Sequence, residues 1–332
     1  MCENVGIVKS IYLWALILAL FAAAPLCADD GAASIAQGGL VVMGHEPRII
    51  MAKEVLKISL DKVVVDYGFR NDSDQDVTTE VAFPIPDYEF NPDGPSTGVA
   101  GFDDFKLSVN DNPTKFTMEV RAIVKGKDLT QMLDAMHVDV CSFGHGDDQH
   151  SKDIDRLSPS QQARLKQAGL IDDDRTPLWT VRKKYYWKQS FPAHATVHIR
   201  HAYTPVVGDT NSARYGIDRS DPSMVAELKS MCVEGPLLRT LTNVVHSKGK
   251  DAPYFYVDFI LTTANTWKTP IEDFTLIVER PHEKDVMADY VSFCWNGPVT
   301  KIDADHFETH ATNFVPKKEL RVGFFEVSKS NF

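Results

Sequence analysis

Long basic runs are missing from this chain. It contains 35 lysine and arginine residues against 46 aspartate and glutamate residues, and its formal net charge is −11 at pH 7. An acidic chain without lysine- or arginine-rich blocks lacks the electrostatic footprint of proteins that bind phosphate backbones or anionic lipids. We therefore predict that the protein binds no nucleic acid.

Several common signatures of catalysis and of cofactor binding are missing as well. The sequence has no GxxxxGK[ST] phosphate loop, no GxGxxG motif that opens a helix after a strand, and neither HExxH nor paired CxxC metal motifs. Each of these motifs supplies the backbone shape or the ligands that its chemistry needs. We therefore predict no cofactor, no resident metal and no catalytic residues.

Only one long apolar run occurs, and it lies near the N-terminus. Lys9 precedes fourteen uninterrupted apolar residues, 11–24, and two aspartates follow Ala28. Spanning a bilayer takes about 20 apolar residues, so a membrane anchor is the weaker alternative. We predict a signal peptide over residues 1–28, a periplasmic or extracellular protein, and no stable membrane insertion after cleavage.

Cysteine is scarce in the predicted mature chain. Cys141, Cys232 and Cys294 remain after cleavage, so at most one internal disulfide can form, and spacing alone leaves three pairings open. Both Cys232 and Cys294 lie on the C-terminal side, one at the end of a predicted short helix and one on a predicted strand. We predict that these two cysteines form the disulfide.

Alternation of apolar and polar residues is abundant. In the stretch 62–70, Val63, Val65, Tyr67 and Phe69 fall on one face, which is typical of a strand with one buried side. Other segments repeat this alternation, with few regular helices between them. The pattern predicts an all-β protein built from antiparallel sandwiches.

The stretch 63–86 carries two such strands around a polar turn and ends in Phe-Pro-Ile-Pro. We interpret it as a hairpin in a sandwich wall, with Phe83 in the core. Pro84 and Pro86 then end the pairing, because proline has no N–H to donate to a neighbouring strand.

Helix signals interrupt the strands in two places. Asp128 is a candidate N-cap for a first helix, and Ser158 with Pro159 and Gln161 starts a second one that Gly169 ends. A third short helix is predicted from Pro222 to about Met231.

The domain organisation follows from length and from a faint internal repeat. Residues 29–332 exceed the roughly 100 to 200 residues of a usual single domain. The segments 63–86 and 255–281 share a Val-Asp-aromatic strand, a polar turn and a returning strand. We predict two tandem β-sandwiches, one over 29–215 with a helical insertion at about 126–175 and one over 216–332 that begins with a short helix.

Six ordered segments of the chain carry a family resemblance. They are MAKEVLKIS, VDYGFRNDSDQDVTTEVAFPIPDYEF, RAIVKGKDLTQML, YYWKQSFPAHATVHIRHAYTPVVG, PIEDFTLIVERP and VSFCWNGPVTKIDADHFE. These segments resemble a bacterial secreted family known as domain of unknown function 4424. The resemblance implies no activity that could be carried over. A more distant similarity at the level of fold is to the vault and inter-alpha-trypsin (VIT) type β-sandwich, where a comparable strand pair ends in Phe-Pro-Leu-Pro.

Asp72, Asp74 and Asp76 resemble the start of a calcium-binding loop, because hard cations need several clustered carboxylate oxygens. The pattern then fails, since Val77 stands where glycine should turn the chain and Phe83 stands where glutamate should close the site. The sequence favours a solvated turn here.

Histidines form three groups. His194 and His198 would lie about 13 Å apart along one strand, which is too far for a single metal ion. The loop from Cys141 to His150 is the better candidate, since a loop can fold its ligands together. The groups are His145 and His150, then His194, His198 and His201, and finally His306 and His310.

Aromatic residues crowd around one strand. Tyr185 and Trp187 should face one way and Tyr186 the other, with Trp179 just before them. One face is expected to be core, and the other is a candidate platform for a partner or ligand.

Together these patterns predict a secreted, non-catalytic binding or envelope-associated module for an unknown protein or small-molecule ligand. The alternative is a metal-dependent or thiol enzyme that uses the loop around Cys141, His145 and His150.

Overall fold

The computed structural model describes residues 37–38, 41–42, 44–84, 88–89, 104–141, 151–205, 207–209, 222–248, 254–283 and 286–326. All of them lie in one compact unit, Ser34–Phe332. Most elements are strands, so the prediction of a mainly β protein is confirmed.

The strands are β1 (Gln37–Gly38), β2 (Val41–Val42), β3 (Ile49–Ile58), β4 (Val63–Asn71), β5 (Val77–Pro84), β6 (Tyr88–Glu89), β7 (Lys106–Val109), β8 (Asn112–Pro113), β9 (Thr117–Val124), β10 (Lys127–Asp128), β11 (Thr180–Phe191), β12 (Ala195–Tyr203), β13 (Val207–Asp209), β14 (Tyr254–Ile260), β15 (Ile271–Glu279), β16 (His282–Glu283), β17 (Val286–Met287), β18 (Tyr290–Phe293), β19 (Thr300–Lys301), β20 (His306–Phe314) and β21 (Leu320–Phe325). The helices are α1 (Thr130–Asp134), α2 (Lys152–Asp155), α3 (Pro159–Ala168), α4 (Pro222–Ser230), α5 (Gly235–Lys248) and a 3-10 helix (Thr262–Thr266).

Three sheets make up most of the described fold. The eight-stranded sheet has the order β19-β20-β15-β3-β4-β12-β7-β8. The six-stranded sheet has the order β10-β9-β11-β5-β2, with β6 beside β11. The five-stranded sheet has the order β1-β14-β21-β18, with β13 beside β14. Strands β16 and β17 form a separate small ribbon.

The core lies on the inward faces of these sheets. Val63, Val65, Tyr67 and Phe69 on β4 are at most 2% exposed, as their alternation predicts. The inward faces of the eight- and six-stranded sheets meet, since the rings of Phe69 and Phe191 have centroids 5.8 Å apart. Buried residues of the five-stranded sheet join the same hydrophobic core.

The hairpin predicted over residues 63–86 is wrong. Strand β4 pairs with β3 and β12 in the eight-stranded sheet, while β5 pairs with β11 and β2 in the six-stranded sheet. The turn between β4 and β5 therefore carries the chain from one layer to the other, as does the turn at Pro192 between β11 and β12. Phe83 is fully buried, so its predicted place in the core is confirmed.

Asn71 connects these two crossing turns. Its side chain is fully buried, and its Nδ2 donates to the carbonyl oxygens of Gln75 and Phe191 at 2.9 Å each. Its Oδ1 accepts from the backbone N–H and the hydroxyl of Ser73. One amide thus satisfies groups of both turns, because a buried polar group needs a hydrogen-bonding partner.

A two-residue turn joins β7 and β8. Asn110 and Asp111 have φ of 48° and 63°, and a left-handed pair of this kind favours asparagine and aspartate. The chain then crosses from β8 in the eight-stranded sheet to β9 in the six-stranded sheet.

The helix signals are partly confirmed. Ser158 and Gln161 form a reciprocal capping box at the start of α3, and Gly169 ends it with φ of 77°. Asp128 is not the N-cap of α1, because it ends β10 and Leu129 takes that position. The Asp128 carboxylate instead accepts from the N–H and hydroxyl of Thr130.

Helices α4 and α5 cover the face of the five-stranded sheet that carries Tyr254. Met224 and Leu228 of α4 pack with Leu241 of α5 against Tyr254 and Phe325. The helix predicted at Pro222 is confirmed as α4, whereas α5 was not predicted.

The finer division into two sandwiches at residue 215 is not confirmed. The eight-stranded sheet takes β3, β4, β7, β8 and β12 from one side of that boundary and β15, β19 and β20 from the other. Strand β15 pairs in parallel with β3 over six residue pairs, Asp273–Val278 with Lys53–Ile58. Alternation identifies a half-buried strand but does not identify its neighbour.

Within the described residues, no helix combines the length and the apolar composition needed to cross a bilayer.

Candidate functional site

The inward face of β11 lies against two different hydrophobic layers. Val181 belongs to the cluster formed with helices α1 to α3, together with Trp179 just before the strand. Tyr185, Trp187 and Phe191 belong to the core shared with the eight-stranded sheet. Lys183 lies between these two groups on the same face and is only 6% exposed.

The two layers leave part of the six-stranded sheet uncovered at β9, along the portion of this strand that β10 does not pair with. Met118 is the register partner of Tyr185, so both side chains point to the same inward face. Tyr185 is 3% exposed, whereas Met118 is 51% exposed. An inward-facing methionine with half its surface in water shows that neither layer covers this position.

Three aromatic rings continue from this opening toward the core. Phe105 and Tyr185 stack with centroids 4.5 Å apart and planes 14° apart. Phe116, which is 36% exposed, packs edge-on against both rings at 5.2 Å and 5.0 Å. The Nζ of Lys183 lies 5.6 Å from the centre of the Tyr185 ring. We call Phe105, Phe116, Met118, Lys183 and Tyr185 the edge cluster.

His201 lies at the inner end of the edge cluster. Its ring is fully buried, and its centroid is 5.2 Å from that of Phe105. Among the described residues neither ring nitrogen has a hydrogen-bond partner. Burial among aromatic rings lowers the pKa of His201 to about 3, because charged imidazolium would lose its hydration there. His201 is therefore neutral at physiological pH.

Glu54 is a second buried titratable group on the same face of the eight-stranded sheet. It lies between its register partners Tyr67 on β4 and Phe274 on β15 and is 2% exposed. Burial raises the pKa of Glu54 to about 8, because the carboxylate would lose its hydration in the core. Glu54 and His201 are both held in their uncharged forms by the core.

The predicted split of the aromatic strand agrees with the structure. Tyr185 and Trp187 are buried on the inward face. Trp179 is buried against the layer formed by helices α1 to α3, which we call the helical layer. Tyr186 is half-buried on the outward face, with the Nζ of Lys184 5.4 Å from its ring centre. The opening lies on the inward face, not on the outward face that the sequence suggests as a platform.

Among the described residues, the predicted histidine groups do not assemble into a site. His194 lies in the turn before β12 and pairs with Asp74 at 2.8 Å, whereas His198 is exposed on β12. His201 points to the opposite face, as its spacing predicts. His145 and His150 lie outside the described residues.

His306 and His310 have separate acidic partners. The side chain of His306 pairs with Asp303 at 2.9 Å, and that of His310 pairs with Asp273 at 2.8 Å. The Asp303 carboxylate raises the pKa of His306, which favours its charged form. Each pair lies on the surface and fixes a strand or a turn.

The aspartates of the turn after β4 diverge. Asp72 pairs with Arg70 at 2.8 Å, Asp74 pairs with His194, and Asp76 accepts the N–H of Ala193 at 2.8 Å. Across the parts of the chain that are described, no group of three or more His, Cys, Asp or Glu side chains could hold a metal ion.

Two sequence features involve segments outside the described residues: Cys141 borders one such segment, and a serine motif lies within another. Cys141 ends a described segment, where it is partly buried and its N–H donates to Asp139. The stretch 94–98, Gly-Pro-Ser-Thr-Gly, matches the GxSxG pattern of hydrolases. It lies outside the described residues, and the pattern marks a nucleophile only where the serine stands between a strand and a helix.

A disulfide joins Cys232 to Cys294, the pair that the sequence analysis selects. Cys232 follows α4 and Cys294 follows β18. The bond therefore fastens the end of α4 to the edge of the five-stranded sheet.

A partly buried ion pair joins two neighbouring strands of the five-stranded sheet, β14 and β21. The Arg321 guanidinium donates to both carboxylate oxygens of Asp258 at 2.6 Å and 2.7 Å and lies 4.2 Å from the Tyr256 ring centre. Burial raises the pKa of Asp258, and the guanidinium opposes that rise. Arg321 also approaches Glu227 of α4 at 3.7 Å, so this network has a structural role.

Sequence reasoning missed the three residues that distinguish the edge cluster. Phe116, Met118 and Lys183 belong to no motif. The sequence does contain one signal for Lys183. This lysine occupies an inward position of β11, and the other inward positions of that strand carry apolar, aromatic or amide side chains. The exposure of Met118 depends on how two layers cover the sheet, and no local pattern encodes that.

Two solved structures that align with the chain have low similarity. One, from Legionella pneumophila, is described as a "putative nutrient binding protein"; it is 18% identical, with 88% of this chain and 72% of that chain covered and a TM-score of 0.47. The other is yeast LTA4 hydrolase, 7% identical, with 86% of this chain and only 30% of that chain covered and a TM-score of 0.31. Neither similarity is close enough to support an argument about function.

None of the curated proteins matches this chain significantly. A family model does match it, over residues 28–322, and its description is domain of unknown function DUF4424. That match covers most of the chain and agrees with the resemblance found in the sequence. The chain belongs to the DUF4424 family.

Proposed function

We propose that this protein is a non-catalytic binding protein that acts in the periplasm or outside the cell and takes a small-molecule ligand at the edge cluster. The observation that carries the proposal is the half-exposed, inward-facing Met118 beside the stacked rings of Phe105 and Tyr185. Single exposed apolar residues are ordinary, but here two of them are continuous with buried rings.

The chemistry of the edge cluster suits an apolar or aromatic ligand. A methionine side chain is flexible and polarisable, so Met118 can adapt to the shape of what it contacts. Aromatic rings bury large areas and prefer stacked or edge-on contacts, as Phe116 already makes with Tyr185. A planar ligand on Phe116 and Met118 would extend this arrangement by one ring.

The disulfide supports the proposed compartment. Structural disulfides persist in oxidising environments and are rare in the cytosol. The bond between Cys232 and Cys294 therefore fits a periplasmic or extracellular protein. N-terminal sequencing of the protein from an envelope fraction tests this, and we expect a chain that begins near Asp29.

Binding is tested by thermal unfolding with a panel of small aromatic compounds. Compounds that bind at the edge cluster should raise the unfolding temperature of the native protein but not that of Met118→Glu, because a carboxylate would have to be desolvated against the ligand. Leu178→Glu is the matched control, since Leu178 is 50% exposed elsewhere. Equal stabilisation of both variants would refute the proposed site.

The non-catalytic part of the proposal has its own test. Ester and amide hydrolysis should be absent from the native protein, and Ser96→Ala should behave as the native protein does. Hydrolysis that Ser96→Ala abolishes would show that the GxSxG stretch is a nucleophile and that the protein is an enzyme.

A relation of the N-terminal strands to the VIT type β-sandwich stays a prediction. The facing inward surfaces of the six- and eight-stranded sheets supply the two layers that such a sandwich requires.

A further inference from the structure

We propose that the ligand of the edge cluster is a phenolic compound, whose hydroxyl group reaches His201 and forms a hydrogen bond with its imidazole ring. This inference rests on the proposed function and adds the chemical class of the ligand.

The imidazole of His201 is a buried hydrogen-bonding group whose capacity is unused. In the part of the chain that the structure describes, neither Nδ1 nor Nε2 has a hydrogen-bond partner. Leaving a buried polar group in this state costs the free energy of its dehydration, and most buried polar groups in native proteins avoid it. A ligand that bonds to the ring would remove that cost. The aromatic rings packed around His201 are those of Tyr67, Phe83, Phe105 and Trp187, with centroids 5.2 to 5.6 Å from its own.

One of these rings, that of Phe105, lies between His201 and the opening of the edge cluster. Its centroid is 5.2 Å from that of His201, 4.5 Å from that of Tyr185 and 5.2 Å from that of the partly exposed Phe116. Phe105 immediately precedes β7 and lies outside the pairing of β7 with β12, so its ring can move without breaking a β-ladder. A ligand ring that replaces it on Tyr185 would lie one ring contact from His201 and would lead out to Met118.

The surroundings of His201 favour an uncharged polar group on that ligand ring. A neutral imidazole has one N–H donor and one acceptor nitrogen, so a hydroxyl group can bond to it in either role. A carboxylate or an ammonium would lose its hydration among the surrounding rings, as the imidazolium form of His201 itself would. A phenol carries its hydroxyl on an aromatic ring and loses its proton only at about pH 10.

The test compares 4-ethylphenol with 4-ethyltoluene, which has nearly the same shape but carries a methyl group in place of the hydroxyl. The NMR resonance of the Met118 methyl, followed during titration of the full protein, gives both affinities. The native protein should bind 4-ethylphenol about tenfold more tightly, because the imidazole is already out of water and gains a partner. A purely apolar site would prefer 4-ethyltoluene, since the phenol would lose the hydration of its hydroxyl there.

Three variants locate the hydrogen bond. His201→Leu should reverse the preference while 4-ethyltoluene still binds. His198→Leu, the matched control, removes an exposed imidazole from the outward face of the same strand and should keep the preference of the native protein. Phe105→Ala should tighten the binding of 4-ethylphenol, because it empties the place that the ligand ring takes.

The outcomes separate this inference from the proposed function. The inference is overturned if 4-ethyltoluene binds the native protein as tightly as 4-ethylphenol, if the preference survives in His201→Leu, or if Phe105→Ala weakens binding. The binding function then stands, because a compound has bound at Met118. If neither compound binds while other aromatic compounds of the panel do, this inference alone fails, and if none binds, the proposed function fails with it.

The test does not depend on one variant. Should His201→Leu not fold, His201→Met takes its place, because it also removes both ring nitrogens. If neither variant folds, the preference of the native protein between the two compounds decides.

Discussion

At the scale of single residues, the core holds two titratable groups in their uncharged forms. Glu54 lies between its register partners Tyr67 and Phe274. His201 is enclosed by rings that include those of Tyr67 and Phe105. The alternation of β12 predicts that His201 points away from His198. Its burial without a hydrogen-bond partner among the described residues was not predictable, because the enclosing rings come from separate segments.

These two groups should give stability a broad maximum in pH. The pKa of Glu54 is about 8 in the fold against an ordinary 4.5, so the folded state binds more protons in that window and stability falls as pH rises through it. The pKa of His201 is about 3 against 6.5, so stability falls as pH drops through that window. Between 4.5 and 6.5 the two contributions cancel.

The alkaline side is tested with Glu54→Gln. Its free energy of unfolding, relative to the native protein, should rise by about 2 kcal/mol between pH 5.5 and pH 7.5, since each pKa unit corresponds to about 1.4 kcal/mol. Urea unfolding at both pH values measures it. His201→Leu should show no such rise on the alkaline side and should gain relative stability below pH 6. A pH-independent difference between Glu54→Gln and the native protein would contradict the account.

At the scale of elements, the strands were predictable and their pairing was not. The faces of β4 and the turn at Asn110 follow from local sequence, as does the cap of α3 at Ser158. The hairpin over 63–86 failed because β4 and β5 can bury their apolar faces equally well in one sheet or in two. Asn71 contributes to the observed choice, since its bond to the Phe191 carbonyl exists only when the two turns lie side by side.

Asn71→Ala should therefore destabilise the protein by about 2 to 3 kcal/mol, because it removes the donor to the Gln75 carbonyl and leaves the buried Phe191 carbonyl without this hydrogen bond. Ser73→Ala, which removes one hydroxyl from the same turn, should cost less than about 1 kcal/mol. Urea unfolding of both variants checks the difference. A loss for Asn71→Ala no larger than that for Ser73→Ala would show that this side chain does not hold the turns together.

At the scale of the whole molecule, one sheet runs through both halves of the chain. The family and the mainly β class could be predicted from motifs and alternation, and the position of α4 followed from Pro222. The parallel pairing of β3 with β15 could not, because it joins segments more than two hundred residues apart. The edge cluster has the same origin, since its opening arises where the helical layer and the eight-stranded sheet stop covering β9.

The disulfide stabilises the C-terminal part of this arrangement. It closes a loop with a sequence separation of 62, which should contribute about 4 kcal/mol through the restricted unfolded chain. Cys232→Ser with Cys294→Ser should lower the free energy of unfolding by that amount, and Cys141→Ser should change it little. Equal denaturation midpoints with and without reductant would argue that the bond does not form in solution.

The measurement that tests the central claim most directly is methyl NMR of the methionine-labelled protein, during titration with a small aromatic compound that raises its unfolding temperature. The Met118 methyl, assigned with Met118→Leu, should shift strongly because it lies at the opening of the edge cluster. Met136 in the helical layer and Met224 on α4 serve as internal controls and should stay unchanged. Saturable shifts at Met118 alone are what we predict; shifts at the controls while Met118 stays unmoved would contradict the account.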